Sequence, residues 1–223
     1  GPGSALPVFV TERVTDELIG YVDIWGSPTQ SYSQVTTAEA RARGEDVWPY
    51  AAYRPKSPGD VIDEWGIAFR LKPWIAHKCD ISRWFTWEST HWIGNSNELD
   101  PGGAKNVWVE PKTFETTSES SCGNGDGTLF YPGEDYVFPE ENREFPGPIA
   151  SYRMKMYRRG AQDVEYMWLA EQKGHGDEVG RLLRERLPAT LWEVDPKGGQ
   201  PSWSNSNAVY EKVRRRLADL IAR

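Results

Sequence analysis

The sequence predicts a mixed α/β protein, a partial (β/α)8 TIM-type barrel of about four βα units followed by C-terminal helices. Two observations predict it. In the first half, short apolar runs bounded by turn residues alternate with helical segments, which is the order of parallel βα units. In the last third, three amphipathic stretches follow one another with helix-stopping residues between them. A third observation sets the limit: four strands are visible where a closed barrel needs eight in roughly 250 residues, and the chain has 223. A parallel sheet with an open flank leaves unpaired edges and an uncovered apolar face, so it calls for another segment, a partner or a second copy of itself.

The elements follow in order. Gly1-Pro2-Gly3-Ser4 resembles a protease-and-cloning scar and is set apart as residues 1–4. Leu6 to Thr11 and Gly20 to Trp25 are the first two strands. Thr36 to Arg43, rich in Ala, Glu and Arg, is helical and stops at Gly44. Asp46 to Tyr53 is the third strand. Ser57-Pro58 caps a helix in which Val61, Ile62, Trp65, Ala68, Phe69 and Leu71 recur at helical spacing, running to about His77 despite Pro73. Asp80 to Glu88 is the fourth strand, and the polar segment from Ser89 to Gly147 is too long for a passive connection. Helices are expected over Ser151 to Gln172, with Tyr152, Met156, Tyr157, Val164, Met167 and Trp168 on a broad stripe, then from Asp177 to Leu187, and from Asn205 to Arg223.

Composition excludes several functions. With 26 Lys and Arg against 33 Asp and Glu the net charge is −7, and the only basic block is Arg214-Arg215-Arg216, so a nucleic-acid partner is not expected. No apolar run approaches the roughly 18 residues of a membrane span. Two cysteines and three histidines without a CxxC or HExxH pattern give no common zinc framework, and neither metal nor cofactor is expected. Cys79 and Cys122 form at most one disulfide, which nothing in their spacing demands. Eleven Trp and ten Tyr beside many polar residues suit a site that stacks on sugar rings while polar groups hold hydroxyls; the alternative is that the rings are core and loop anchors.

Several runs together resemble a known family. Tyr21-Val22-Asp23-Ile24-Trp25, Val47-Trp48-Pro49-Tyr50 with Pro55, Trp74 and Lys78, and Gly125-Asp126-Gly127-Thr128-Leu129-Phe130-Tyr131-Pro132-Gly133 are similar to the C-terminal part of glycoside hydrolase family 123-like catalytic domains. Gly147-Pro148-Ile149-Ala150-Ser151-Tyr152-Arg153, followed by Arg159-Gly160-Ala161-Gln162-Asp163-Val164-Glu165-Tyr166, resembles the helix that closes that barrel. The resemblance covers about Leu6 to Leu169 and implies the last four βα units of the barrel over residues 5–174, with 175–223 a helical extension packed on it. It implies cleavage of N-acetylated hexosamine glycosides such as β-N-acetylgalactosaminides. In that chemistry the substrate's acetamido oxygen attacks the anomeric carbon, one acid orients it, and a neighbouring acid protonates the leaving oxygen. It also implies a secreted or periplasmic protein.

The family's adjacent Asp-Glu pair precedes the strand that aligns with Leu6 to Thr11, so it is expected to be missing here. Asp16-Glu17, Asp63-Glu64 and Asp177-Glu178 are expected to be solvated faces or caps.

At the C-terminal ends of the strands the positions to weigh are Glu12, Trp25, Tyr50, Tyr53, Trp87 and Glu88. Trp25 ends a strand before Gly26-Ser27-Pro28 and either faces the mouth or belongs to the core. Alternation separates Tyr50 from Tyr53, and Tyr50 is preferred. Glu88 binds a hydroxyl pair or pairs with Arg83 or Lys78. His91 and Trp92 follow in a loop expected to cross the pocket, or to be packed down by Trp92. Asn124-Gly125-Asp126-Gly127 is expected to be a turn held by Asp126 rather than a calcium site, with Tyr131 reaching back to the rim. The substrate-binding set is therefore Trp25, Tyr50, Trp87, Glu88, Trp92 and Tyr131. Arg153, Arg158, Arg159, Asp163 and Glu165 are expected on a charged, supporting helix face. The expected function is the sugar-binding portion of an N-acetylhexosaminidase-like hydrolase, inactive alone; the alternatives are a non-catalytic glycan-binding module and a scaffold that self-associates through its open edge.

Overall fold

Short runs of apolar residues between glycine turns pair into a parallel sheet. The computed structural model describes residues 6–50, 54–93, 103–114, 123–195, 197 and 202–222. Strands β1 (Phe9–Val10), β2 (Ile24–Pro28) and β3 (Asp46–Tyr50) lie side by side in that order, all parallel. Helix α1 (Gln34–Ala42) connects β2 to β3. It begins where the Ser33 hydroxyl accepts the Thr36 N–H, and ends at Gly44, whose φ of +88° favours glycine.

Register sorts the side chains. Trp25 stands opposite Val10 and Val47, and these point away from Phe9, Ile24, Gly26, Trp48 and Tyr50. The Trp25 and Val47 face is buried in the core with Ala40 of α1 and with Leu71, Trp74 and Ile75 of α2 (Ala68–Lys78). The other face carries an aromatic layer: the Phe9 ring lies 5.7 Å from Trp48 and 4.8 Å from Phe85, and Tyr50 lies 5.2 Å from Phe85. Gly26 leaves the room this needs, since a Cβ there would stand 3.0 Å from the Phe9 ring. Phe85 is bonded beyond β3, its N–H donating to the Pro49 carbonyl at 2.9 Å. A flat sheet would hold Phe9 and Phe85 three strand spacings, about 14 Å, apart. Their ring contact means the sheet curls around its aromatic face.

Three elements differ from expectation. β2 runs on to Pro28, so Trp25 is its second residue and not its end. Among the described residues the expected strand from Asp80 to Glu88 makes that single bond to β3 and no ladder. The helix expected from Ser57 starts only at Ala68, because the Glu64 carboxylate is turned back to accept the Arg54 guanidinium at 2.8 Å and the Gly59 N–H at 3.2 Å, which holds the preceding residues in turns. Pro73 is accommodated within α2 as expected.

The C-terminal third follows its sequence closely, as α3 (Tyr152–Gln172), α4 (Gly176–Arg186) and α5 (Asn207–Ile221). The α3 stripe is rotated from the expected one: Arg153, Met156, Gly160, Asp163, Met167 and Ala170 are buried, while Tyr152 and Trp168 are exposed. Gly160 touches the Arg70 backbone, and a Cβ there would fall 2.2 Å from the Arg70 carbonyl. Asp163 is not on a charged outer face. It is fully buried, and accepts from Arg70 at 2.6 Å, Trp74 at 3.0 Å and Arg214 at 2.8 Å, tying α2, α3 and α5 together.

Two antiparallel pairs complete the described structure: β4 (Lys112–Phe114) with β5 (Gly123–Asn124), and β6 (Phe130–Tyr131) with β7 (Ile149–Ala150). The Cys79 thiol lies 3.6 Å from the Thr190 hydroxyl. Tyr53 and Cys122 lie outside the described residues. Among the described residues no helix is long and apolar enough to cross a membrane.

Candidate functional site

The parallel strands deliver Tyr50 at the C-terminal end of β3, with Phe85 beside it and Trp87 two residues on. A tight turn at residues 124–128 meets this end. Gly125 and Gly127 take φ of +64° and +72°, which side chains resist, and the Asp126 between them is thereby held outward. Its carboxylate accepts the Trp87 indole N–H at 3.0 Å, so the bond runs across to a second loop and not within its own turn. Among the described residues no donor reaches its other oxygen.

The turn is fixed from behind. Arg153, in the first turn of α3, donates to the carbonyls of Asp60 at 2.7 Å, Gly125 at 2.6 Å and Thr128 at 2.5 Å. The His91 N–H donates to the Gly127 carbonyl at 3.0 Å and the Thr128 hydroxyl to the His91 carbonyl at 2.9 Å, which joins the turn to the Trp87 loop. Tyr131 interacts with the Arg153 guanidinium, and its ring stands 4.8 Å from Trp108, over which Arg143 lies.

Charge is concentrated here. Lys72 of α2 is buried in an ion pair with Asp60, its ammonium 4.6 Å from the Phe69 ring centroid. Burial pushes its pKa down to about 7; Asp126 opposes this and Arg153 adds to it. Burial also lowers Arg153, against the pull of Tyr131 and Asp126. The Tyr50 phenol is raised, first by burial and then by Asp126. Lys72, Arg153 and Tyr50 thus all lie within the field of one carboxylate.

The structure therefore divides the six sequence candidates. Tyr50 and Trp87 come together around Asp126, and Tyr131 joins through Arg153. Trp25 is not part of the mouth: it is fully buried near the start of β2, its indole donating to Glu45 at 2.9 Å. Glu88 pairs with neither Arg83 nor Lys78. It is hydrogen-bonded to His91 Nδ1 at 2.6 Å and lines a cleft of about 480 Å³ with Phe69, Met154 and Tyr157. His91 is buried, its ring centroid 5.0 Å from that of Trp87. Trp92 donates to the Phe130 carbonyl at 2.8 Å and lines a separate hollow with Pro132, Tyr136 and Phe138. The residues missed in the sequence are Asp126 as a presented group, Lys72 and Arg153. The signal for Asp126 was its pair of flanking glycines.

Chemically, a carboxylate near a phenol and an indole can accept a hydroxyl while the rings cover an apolar sugar face. Among the described residues no group of three or more His, Cys, Asp or Glu side chains is placed to hold a metal ion. Compared with known protein families and with curated proteins, the chain matches no family model and no curated sequence.

Proposed function

We propose that this chain is the sugar-binding portion of a barrel similar to family 123 glycoside hydrolases, holding an N-acetylated hexosamine glycoside without cleaving it alone. The observation that carries the reading is the Asp126 carboxylate, bonded to Trp87 and acting electrostatically on Tyr50, at the C-terminal end of a curled parallel sheet. That is where barrels of this type bind ligands. The four-strand reading is supported by the contact between Phe9 and Phe85 across the sheet.

The absence of turnover follows from the acids. Asp16 and Glu17 lie on an exposed 3-10 turn, Asp63 accepts from Asn124 and Glu64 from Arg54, and Asp177 and Glu178 open α4. None of these adjacent pairs joins Asp126. The same family reading makes the protein a secreted or periplasmic one.

The test is calorimetric titration with N-acetylgalactosamine and N-acetylglucosamine, alongside release of nitrophenol from the nitrophenyl β-glycoside. Binding without release is expected. Asp126→Asn should weaken binding by about 10- to 100-fold, the worth of hydrogen bonds to a charged acceptor. A folded protein that binds neither sugar, or binds equally well as Asp126→Asn, refutes the reading, and steady nitrophenol release refutes its claim of inactivity.

A further inference from the structure

The described structure has two unmatched flanks, and they complement each other. On one side, no described segment pairs beyond residues 82–88; the 128–130 run bonds to Ser89 and Thr90, just past their end. Between that segment and the helices runs a groove made of the 480 Å³ cleft and a 260 Å³ hollow, which share Tyr157. Its helical wall is a second stripe of α3: Met154, Tyr157, Ala161, Val164 and the half-exposed Trp168, spaced three and four residues apart. That spacing is a helix face shaped for a partner.

On the other side is the outer edge of β1, around which Leu6, Val8, Leu18 and Tyr21 are 72%, 46%, 37% and 75% exposed. The charges match too. The α3 stripe is flanked by Lys155 and Arg158 against Glu165, while the β1 edge carries Glu12, Asp16 and Glu17 against Arg13, so the balance is basic on one flank and acidic on the other. All seven are exposed.

We propose that the occupant of each flank is a second copy of this chain. A two-fold axis along the sheet's cylinder brings the β1 edge of one copy parallel to residues 82–88 of the other, and by symmetry does so twice. Pairing with the partner's β1 would draw residues 82–88 into the ladder beside the three strands, so that four from each copy close one ring of eight, whose interior side chains can fill. The half-buried layer of Phe9, Trp48, Tyr50 and Phe85 then lies inside, and the two Asp126 mouths share one rim. This rests on the four-strand part of the proposed function and not on its sugar.

Light scattering from about 1 to about 200 µM should show a rise from 25.3 kDa toward twice that mass, with amide exchange slowing at residues 8–10 and 84–88 together. Leu6→Glu and Ala161→Glu should each weaken self-association at least about 30-fold, one burying an unpaired charge on the edge and the other in the groove. Tyr136→Glu, 81% exposed on another surface, should leave it unchanged. A mass fixed at 25.3 kDa, protection at other segments, or indifference to both Glu variants overturns the proposal. A monomer that binds sugar defeats only this inference; a dimer that binds none defeats only the sugar reading.

Discussion

Replacing Asp163 by alanine should cost this protein a large part of its stability. The carboxylate accepts from Arg70, Trp74 and Arg214, and both it and Arg70 are fully buried. Asp163→Ala leaves a buried guanidinium short of its counter-charge, which costs about 3–5 kcal/mol where one partner of a buried pair is removed. It also orphans the Trp74 indole N–H, at about 1–3 kcal/mol. Two effects reduce the sum. Arg70 keeps Asn207 at 2.5 Å and Glu211 at 2.6 Å, and the partly exposed Arg214 can turn to water. The net expectation is a loss of about 3–4 kcal/mol, against about 5–15 kcal/mol for a typical domain. With a urea slope of about 2 kcal/mol/M, the unfolding midpoint should fall by about 1.5–2 M at unchanged slope. Asp163→Asn, which keeps an oxygen for Trp74, should fall between the two proteins. A midpoint within about 0.5 M of the parent for Asp163→Ala would show that Glu211 and Asn207 already satisfy Arg70, and that Asp163 is not the latch.

Gly160→Ala should destabilise by about 2–4 kcal/mol although alanine favours helix, because its Cβ would fall 2.2 Å from the Arg70 carbonyl and must force α2 from α3; a midpoint equal to or above the parent's contradicts the close crossing. Glu211 is held down to about 2 by hydrogen bonds from Arg159 and then Arg70, against burial. Its folded pKa lies below the unfolded value of about 4.3, so its contribution is complete above that value and is lost as pH falls toward 2. Thermal melts of Glu211→Gln should therefore show a shallower acid limb than the parent, and parallel limbs would refute the assignment. Gly127→Ala places a Cβ 2.6 Å from the Trp87 ring at a φ of +72°, whereas Gly44→Ala, at +88°, meets nothing within 4 Å. Both should lose about 1–2 kcal/mol to backbone strain, but only Gly127→Ala should weaken sugar titration about 10-fold or more; equal sugar affinities would remove the turn from the site.

Local signals in the sequence were legible where one element decides its own shape. Ser33 and Ser151 cap helices, Gly44 and Gly174 end them, and the bounds of α1, α3, α4 and α5 fall within a few residues of those expected. What was not legible depends on distant partners. Trp25 ends an apolar run in sequence, but the strand continues through Gly26 and Ser27 because β3 pairs with it as far as Tyr50. The apolar residues of α3 predict one stripe, yet its buried face carries Arg153 and Asp163, since each finds partners on segments 25 to 93 residues away. Charged residues look like surface until such partners are known. The same holds for Lys72, which sits in an apolar helix and is buried against Asp60.

Two of the runs singled out in the sequence do different kinds of work once they are placed in space. Arg159-Gly160-Ala161-Gln162-Asp163 is a packing device: the glycine admits the α2 backbone and the aspartate latches α2 and α5. Gly125-Asp126-Gly127-Thr128 is a presenting device, with glycines that hold an acid toward Trp87 and Tyr50. Arg153 couples them, because it belongs to α3 and yet binds two carbonyls of the turn. The position of Asp126 is therefore set by the docking of α3, which is set by Gly160 and Asp163. A turn of two glycines has little stiffness of its own, so the mouth holds its shape only while the helix behind it stays docked. That dependence is why Gly160 and Asp163, though they do not touch Asp126, set where its carboxylate stands.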